Sequence, residues 1–141
     1  MKINGYYQNR ELSWLKFNER VLLEADDANV PLCEKLTFAS IFQSNLDEFF
    51  MVRVGTLHDQ MLFSDNKTDN KTQMTAKEQL THIFKSAREL TRKKDNIYKH
   101  LMVKLQEYGV QLLNFNDIEY NDALYLEKYF KDSVMPFLSP Q

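Results

Sequence analysis

Residues 75–109 read TAKEQLTHIFKSARELTRKKDNIYKHLMVKLQEYG and set the architecture of this chain. Thr75 and Glu78 have the spacing of a capping box, which opens a helix. Apolar side chains then recur at helical spacing as far as Gly109, a residue suited to a C-terminal cap. The predicted inner face carries Leu80, Ile83, Ala87, Leu90, Ile97, Leu101, Leu105 and Tyr108. At ~1.5 Å per residue, about 33 residues span roughly 50 Å. We predict that this helix is the spine against which shorter helices pack.

The sequence before this spine predicts a first amphipathic helix over residues 13–26. Leu12 and Phe17 flank Ser13 at the spacing of a hydrophobic staple, so Ser13 is the expected N-cap. The face expected to be buried, with the tryptophan as its main anchor, carries Trp14, Phe17, Val21 and Ala25.

A second helix is predicted over residues 31–42, because a proline suits the first helical turn. A polar step, SNLDEFF at residues 44–50, follows it. Ser44 and Asn45 are each followed three residues later by a carboxylate, which is the spacing of a capping box. We therefore expect a third helix to restart near residue 45, or a continuous helix to kink there. Its apolar stripe carries Leu46, Phe49, Phe50, Val52, Val54, Leu57 and Met61.

Two further segments are predicted to be irregular or only partly helical. Residues 65–72 repeat Asp-Asn-Lys-Thr twice without an apolar side chain, which is typical of a mobile loop. Residues 110–115 read as a short extended segment. Asn121 is expected to cap a last amphipathic helix, which Pro136 ends.

The predicted fold class is mainly α. An antiparallel helical bundle with one long spine helix occupies residues 1–107. Residues 108–141 are expected to be the truncated start of an α/β domain. A chain of 141 residues can build one sizeable core but not two complete domains.

The composition limits which binding partners and which cellular compartment are expected for this protein. The 18 basic and 20 acidic residues give a net charge of -2, which offers no overall attraction for nucleic acid. Cys33 is the single cysteine, which excludes an internal disulfide, and we interpret it as a small core residue. No apolar run is long enough for a signal peptide or a transmembrane helix, so a cytoplasmic location is expected.

Asn45 and Phe38 are the candidate nucleotide-binding residues. The amide of Asn45 offers the donor and acceptor needed to read the edge of an adenine, but asparagine is also a preferred helix cap. From the residues alone, the cap is the favoured role. Phe38 could stack on a base, although aromatic residues at helical spacing more often form core. Arg53 interrupts the apolar stripe, so it must either extend its charged end to solvent or meet a carboxylate, for which the candidates are Asp47, Glu19 and Glu11.

The remaining polar clusters favour ordinary surface roles. Three histidines lack the spacing and neighbours of a metal site and are expected at the surface: His58, His82 and His100. A basic run on the spine could attract phosphate chains by charge, although Glu89 and Asp95 favour a solvated face. This run consists of Lys85, Arg88, Arg92, Lys93 and Lys94.

Two sequence blocks resemble the N-terminal region of the polyphosphate kinases. They are RELSWLKFNERVL at residues 10–22 and IFQSNLDEFF at residues 41–50. The strong resemblance covers residues 10–57, and the remainder is similar in helix spacing and in the break at Gly109. The resemblance implies that Asn45 contributes to an ATP site, which reverses the preference for a cap.

The same resemblance implies an activity for the intact enzyme. It would transfer the terminal phosphate of ATP reversibly to inorganic polyphosphate through a phosphohistidine. Mg²⁺ is expected there, yet the phosphohistidine and the Mg²⁺ ligands lie downstream, so this chain would supply no catalytic or metal-binding residue and would be inactive alone. Expected partners are ATP or ADP, polyphosphate, the remaining domains of the same chain and, at full length, a second copy. The alternative is a non-catalytic helical interaction or dimerisation module.

Overall fold

The described residues before Gly109, the first of two units, form three helical rods that pack around one core. The computed structural model describes residues 7–63 and 68–139. The helices of the first unit are α1 (Arg10–Glu24), α2 (Leu32–Phe49), α3 (Gly55–Phe63) and α4 (Ala76–Gln106). A π-helical turn, Phe50–Val54, joins α2 to α3, so that these two helices form one rod.

Pairs of contacting residues fix the directions of the rods. Trp14 stacks on Phe49 with ring centroids 4.4 Å apart. Later in α1, Asn18 bonds the Phe42 carbonyl oxygen, which lies earlier in α2. These two helices are therefore antiparallel. The mainly α prediction, an antiparallel bundle, is confirmed.

The long helix α4 runs parallel to α1 and antiparallel to α2. Asn9 Nδ2 donates to Gln79 Oε1 at 2.8 Å, near the start of both helices. Further along, Lys93 Nζ donates to Glu19 Oε1 at 3.0 Å. The buried stripe of α4 packs between the two other rods as the spine prediction requires, and it includes Leu80, Ile83, Ala87, Leu90, Ile97, Leu101 and Leu105.

The first helix begins earlier than the sequence predicted. Asn9 is its N-cap, because Asn9 Oδ1 accepts from the backbone N–H of Glu11 at 3.0 Å and of Leu12 at 3.2 Å. Ser13 already donates its backbone N–H to the Asn9 carbonyl, so the prediction of Ser13 as N-cap was wrong. The predicted hydrophobic staple between Leu12 and Phe17 was also wrong, since Phe17 is 47% exposed. The buried face of α1 is rotated by one residue and carries Glu11, Leu15, Asn18 and Leu22, although Ala25, which was predicted to be buried, is buried after the helix.

No helix restarts at the polar step of residues 44–50. Phe42, Leu46 and Phe49 are all buried, so α2 keeps its contacts with the core through the step and continues without a break. The irregularity comes afterwards, where the next buried side chain is Val54. A π turn contains more residues than an α turn, which accommodates this longer spacing. Val52, expected to widen the buried stripe, is 55% exposed.

The limits of α4 agree closely with the sequence. Thr75 Oγ1 accepts from the Glu78 backbone N–H at 3.3 Å, and Glu78 Oε2 accepts from the Thr75 backbone N–H at 2.9 Å. These bonds confirm the capping box, and the bond from the Thr75 backbone N–H holds the pKa of the Glu78 carboxyl below its usual range. Gly109 follows the helix with φ +78°, where L side chains are strained. Tyr108, expected on the inner face, is 77% exposed.

The loop before α4 is described from residue 68 onward. Asp69 Oδ2 accepts from Thr72 Oγ1 at 2.6 Å, and this bond lowers the pKa of Asp69. Thr68 pairs with Thr75 through an isolated β-bridge. The remainder of the predicted loop, residues 65–67, lies outside the described residues.

A second compact unit begins at Gly109, after a first unit that ends at Tyr108. It contains α5 (Tyr120–Tyr129), a π-helical turn (Phe130–Val134) and a short 3₁₀ turn (Met135–Phe137). Asn121 lies inside α5, so its predicted capping role was wrong. The part of the chain that the structure describes contains no strand, and residues 110–115 form a loop. The α/β character of the following domain stays a prediction.

Candidate nucleotide-binding surface

Asn45 lies at the end of a short chain of hydrogen bonds that starts at the backbone of α2. Asn18 Nδ2 donates to the Phe42 carbonyl oxygen at 3.0 Å. Asn45 Nδ2 then donates to Asn18 Oδ1, also at 3.0 Å. Asn18 is fully buried, whereas Asn45 is half-buried. The Asn45 amide is therefore fixed to the protein through its Nδ2, while the residue keeps part of its surface exposed to solvent.

This position corrects one of the two roles predicted for Asn45. It lies well inside α2, where each backbone N–H already bonds within the helix, so it is not an N-cap. The capping-box pattern was misleading because the apolar spacing of α2 continues through it. Asp47 instead accepts from Gln43 Nε2 at 2.8 Å, one turn earlier. The nucleotide-binding role of Asn45 does not depend on a cap.

Phe38 shares one side of α2 with Asn45, two turns earlier. It packs against the core yet remains half-buried. One turn before Asn45, Ile41 is 41% exposed. The half-buried Asn45 is thus preceded along the helix by partly exposed apolar side chains. Apolar walls with a few placed polar groups are typical of ligand sites.

Arg53 contacts Glu11, one of its three predicted partners. The Arg53 guanidinium Nη1 lies 4.0 Å from Glu11 Oε1, and Arg10 Nη2 lies 2.6 Å from the same oxygen. The Glu11 side chain is only 6% exposed, whereas that of Arg53 is 46% exposed. The other two candidates are engaged elsewhere, Glu19 with Lys93 and Asp47 with Gln43. A buried carboxylate thus holds two arginines at the surface.

The π-helical turn aligns these two polar contacts. Glu11 precedes Asn18 by two α-helical turns on α1. On the facing rod, Arg53 follows Asn45 by the same two turns and one additional residue, which the π-helical turn accommodates. Sequence reasoning missed Asn18 and did not single out Glu11 as the partner. The signal was present, because Asn18 stands at the apolar spacing of α1 between Leu15 and Leu22, and Glu11 stands one turn before Leu15.

A polar cleft of about 750 Å³ opens beside the Glu11–Arg53 contact. Its walls come from the start of α1, from the π-helical turn and from the loop before α4. Arg10, Arg53 and Lys71 bring positive charge, and Glu11 and Asp69 bring negative charge. Neither Asn45 nor Phe38 lines this cleft. Its mixed charge defines no single class of ligand.

The basic run of α4 is divided by its contacts. Lys93 pairs with Glu19 at 3.0 Å, and Lys94 Nζ lies 3.0 Å from Asp95 and 3.1 Å from Gln43 Oε1. These two lysines help to join the rods. The other residues of the basic run are exposed and line a shallow groove together with Glu89. They are Lys85, Arg88 and Arg92. The prediction of a solvated face fits this arrangement.

The other candidate residues lie at the surface. His58, His82 and His100 are exposed, as predicted. Within residues 7–63 and 68–139, no three side chains of His, Cys, Asp or Glu are grouped as a metal ion would require. Cys33 is exposed, so its interpretation as a core residue was wrong. In the same residues, no helix is both long and apolar enough to cross a membrane.

Comparison with known proteins assigns this helical domain to a family. Residues 7–113 match the family described as the polyphosphate kinase N-terminal domain. Over 137 residues the chain is 48% identical to a polyphosphate kinase of Bacillus cereus and 49% identical to one of Staphylococcus epidermidis, in each case covering 96% of this chain. A polyphosphate kinase of Halalkalibacterium halodurans is 46% identical over the same length.

The domain is therefore of the type described as the polyphosphate kinase N-terminal domain. The chain belongs to the polyphosphate kinase family. It spans 20% of the Bacillus cereus relative, 19% of the Halalkalibacterium halodurans relative and 18% of the Staphylococcus epidermidis relative.

Proposed function

We propose that this domain forms one wall of the ATP pocket of a polyphosphate kinase. The observation that carries the proposal is the Asn45 amide, which Asn18 fixes through its Nδ2 although the residue is only half-buried. The name shared by the relatives supports ATP and inorganic polyphosphate as substrates. In this proposal, Asn45 contacts the adenine and Phe38 borders it.

The intact cytoplasmic enzyme would transfer the terminal phosphate of ATP reversibly to polyphosphate. A phosphohistidine and Mg²⁺ in other domains would carry the chemistry, and the intact enzyme would be a homo-oligomer. Phosphoryl transfer depends on positioning and on stabilising negative charge. A helical wall without those groups binds but does not catalyse, so we expect the isolated domain to be inactive.

The geometry favours this wall over the interaction module. The apolar stripe of α4, which such a module would present to a partner, is buried against the other rods. The exposed apolar residues of α4 are Phe84, Tyr98 and Val103, and they are spaced along the helix instead of forming one continuous face. Asn45, by contrast, combines a fixed amide with exposed apolar neighbours.

Steady-state kinetics of full-length polyphosphate kinase carrying Asn45→Ala tests the proposal. Loss of a hydrogen bond of about 1 to 1.5 kcal/mol corresponds to an increase of about tenfold in the KM for ATP. The KM for polyphosphate should not change. Ser44→Ala is the matched control, because Ser44 is the exposed neighbour of Asn45 on α2. An unchanged KM for ATP in Asn45→Ala would remove this residue from the pocket.

A further inference from the structure

The polarity of the Asn18–Asn45 contact is fixed by a backbone group. The Phe42 carbonyl oxygen can only accept, so the side of Asn18 that faces it must be the Nδ2 donor. The opposite side of the same amide is then Oδ1, which can only accept. Asn45 must in turn direct its own Nδ2 toward Asn18, as the 3.0 Å contact shows. The backbone of α2 thus sets the orientation of two successive amides.

Burial makes this orientation costly to reverse. Asn18 is 0% exposed, so water cannot replace a lost partner there. A flipped Asn18 would place its oxygen against the Phe42 oxygen, and a flipped Asn45 would place its oxygen against Asn18 Oδ1. Either arrangement brings two acceptors together without a hydrogen between them.

We infer that Asn18 is a positioning residue that makes Asn45 selective for an adenine base. With Nδ2 held by Asn18, Asn45 presents its Oδ1 acceptor and one remaining N–H to a ligand. Adenine offers an exocyclic amine that donates to Oδ1, next to a ring nitrogen that accepts from the N–H. Guanine has a carbonyl oxygen in place of that amine, which would meet Oδ1 as a second acceptor. The inference rests on the proposed function, because it requires Asn45 to contact the base.

The test compares the ATP and GTP specificity of full-length polyphosphate kinase variants. The quantity measured is the ratio of kcat/KM for ATP to kcat/KM for GTP. Asn18→Ala frees the Asn45 amide to rotate, so we expect this ratio to fall about three- to tenfold, the effect of roughly one hydrogen bond. The KM for polyphosphate should remain unchanged, which a general loss of structure would not allow.

Asn18→Asp separates positioning from stability. A protonated carboxyl group at residue 18, the form that burial favours, donates to the Phe42 carbonyl oxygen and still accepts from Asn45 Nδ2. We expect its melting temperature to fall, because a buried amide has been replaced by an ionisable group, while the ATP to GTP ratio stays within about twofold of the parent. Asn18→Ser replaces Asn18→Ala if the alanine variant does not fold, since serine is polar but too short to hold Asn45.

Three outcomes distinguish the two proposals. A lower ratio in Asn18→Ala or Asn18→Ser, with a normal ratio in Asn18→Asp, supports the positioning role. If Asn45→Ala raises the KM for ATP but the ratio is normal in every Asn18 variant, the positioning role is refuted and the ATP wall stands. If Asn45→Ala changes neither value, the ATP wall itself is refuted.

Discussion

The N-cap of α1 shows how one side chain can change the prediction of a helix face. Asn9 is 2% exposed and bonds two backbone N–H groups of α1 as well as Gln79 of α4. The sequence pattern instead favoured Ser13, because an apolar pair flanks it. That pattern could not reveal the contact with Gln79, which is distant in sequence and depends on the parallel packing of α1 and α4.

We expect Asn9→Ala to lower the free energy of unfolding by about 1 to 2 kcal/mol, the usual effect of removing an N-cap. Ser13→Ala is the control, since Ser13 is exposed within α1 and alanine favours a helix, so its effect should stay within about 0.5 kcal/mol. Urea unfolding followed by circular dichroism measures both. Equal destabilisation by the two substitutions would contradict the assignment of the cap.

The candidate binding residue Asn45 could be selected from the sequence, but its surroundings could not. Its amide and the resemblance of residues 41–50 pointed to a nucleotide. The partner Asn18 is on another helix, and its burial depends on the packing of α1 against α2. The orientation of the Asn45 amide is a property of the packed helix pair.

Between residues and the whole fold, the π-helical turn is the element that the sequence described least well. The turn appears as a longer spacing between the buried side chains of Phe49 and Val54, which the sequence did not show because apolar residues also stand between them. The polar step of residues 44–50 is easier to recognise in the sequence, and for this reason the break was predicted there. The capping box of α4 was predicted correctly, because its two members are only three residues apart and bond to each other without help from distant residues.

Deleting Met51 should convert the π-helical turn into regular α-helix. Met51 is 75% exposed, and removing one residue gives the core side chains before and after the turn the spacing of an unbroken α-helix. We expect the free energy of unfolding to change by less than about 1 kcal/mol. Circular dichroism and urea unfolding measure the change.

Deletion of Ser40 is the control for this experiment. Ser40 is also exposed, but it lies within regular α2, where removing one residue rotates the preceding turns away from the core. Its loss of stability should exceed about 3 kcal/mol, comparable to removing a large core side chain. If the Met51 deletion were as harmful as the Ser40 deletion, the π-helical turn would not be an accommodated extra residue.

At the scale of the whole molecule, the fold was largely predictable because its long helix is regular and well capped. The class, the spine and the order of helices follow from local patterns. The second unit does not, since none of its described residues is buried and no local pattern there is reinforced by a core. Every buried residue in the described part of the chain lies at or before Leu105.

The chain ending at Tyr108 should therefore unfold as cooperatively as the complete chain. We expect the two melting temperatures to differ by less than about 4 °C, the shift that corresponds to about 1 kcal/mol in a domain of this size. Calorimetry of both chains provides the measurement. A broad, non-cooperative transition in the shorter chain would show that residues after 108 are required for the core.

The central claim, that this domain lies against the adenine of ATP, is tested most directly by photolabelling. Full-length polyphosphate kinase would be irradiated with ATP that carries an azide on its adenine ring, and the labelled peptides would be identified by mass spectrometry. We predict labelling within residues 38–45 that excess ATP prevents and that Asn45→Ala reduces. Labelling confined to other domains, with none in this one, would contradict the claim.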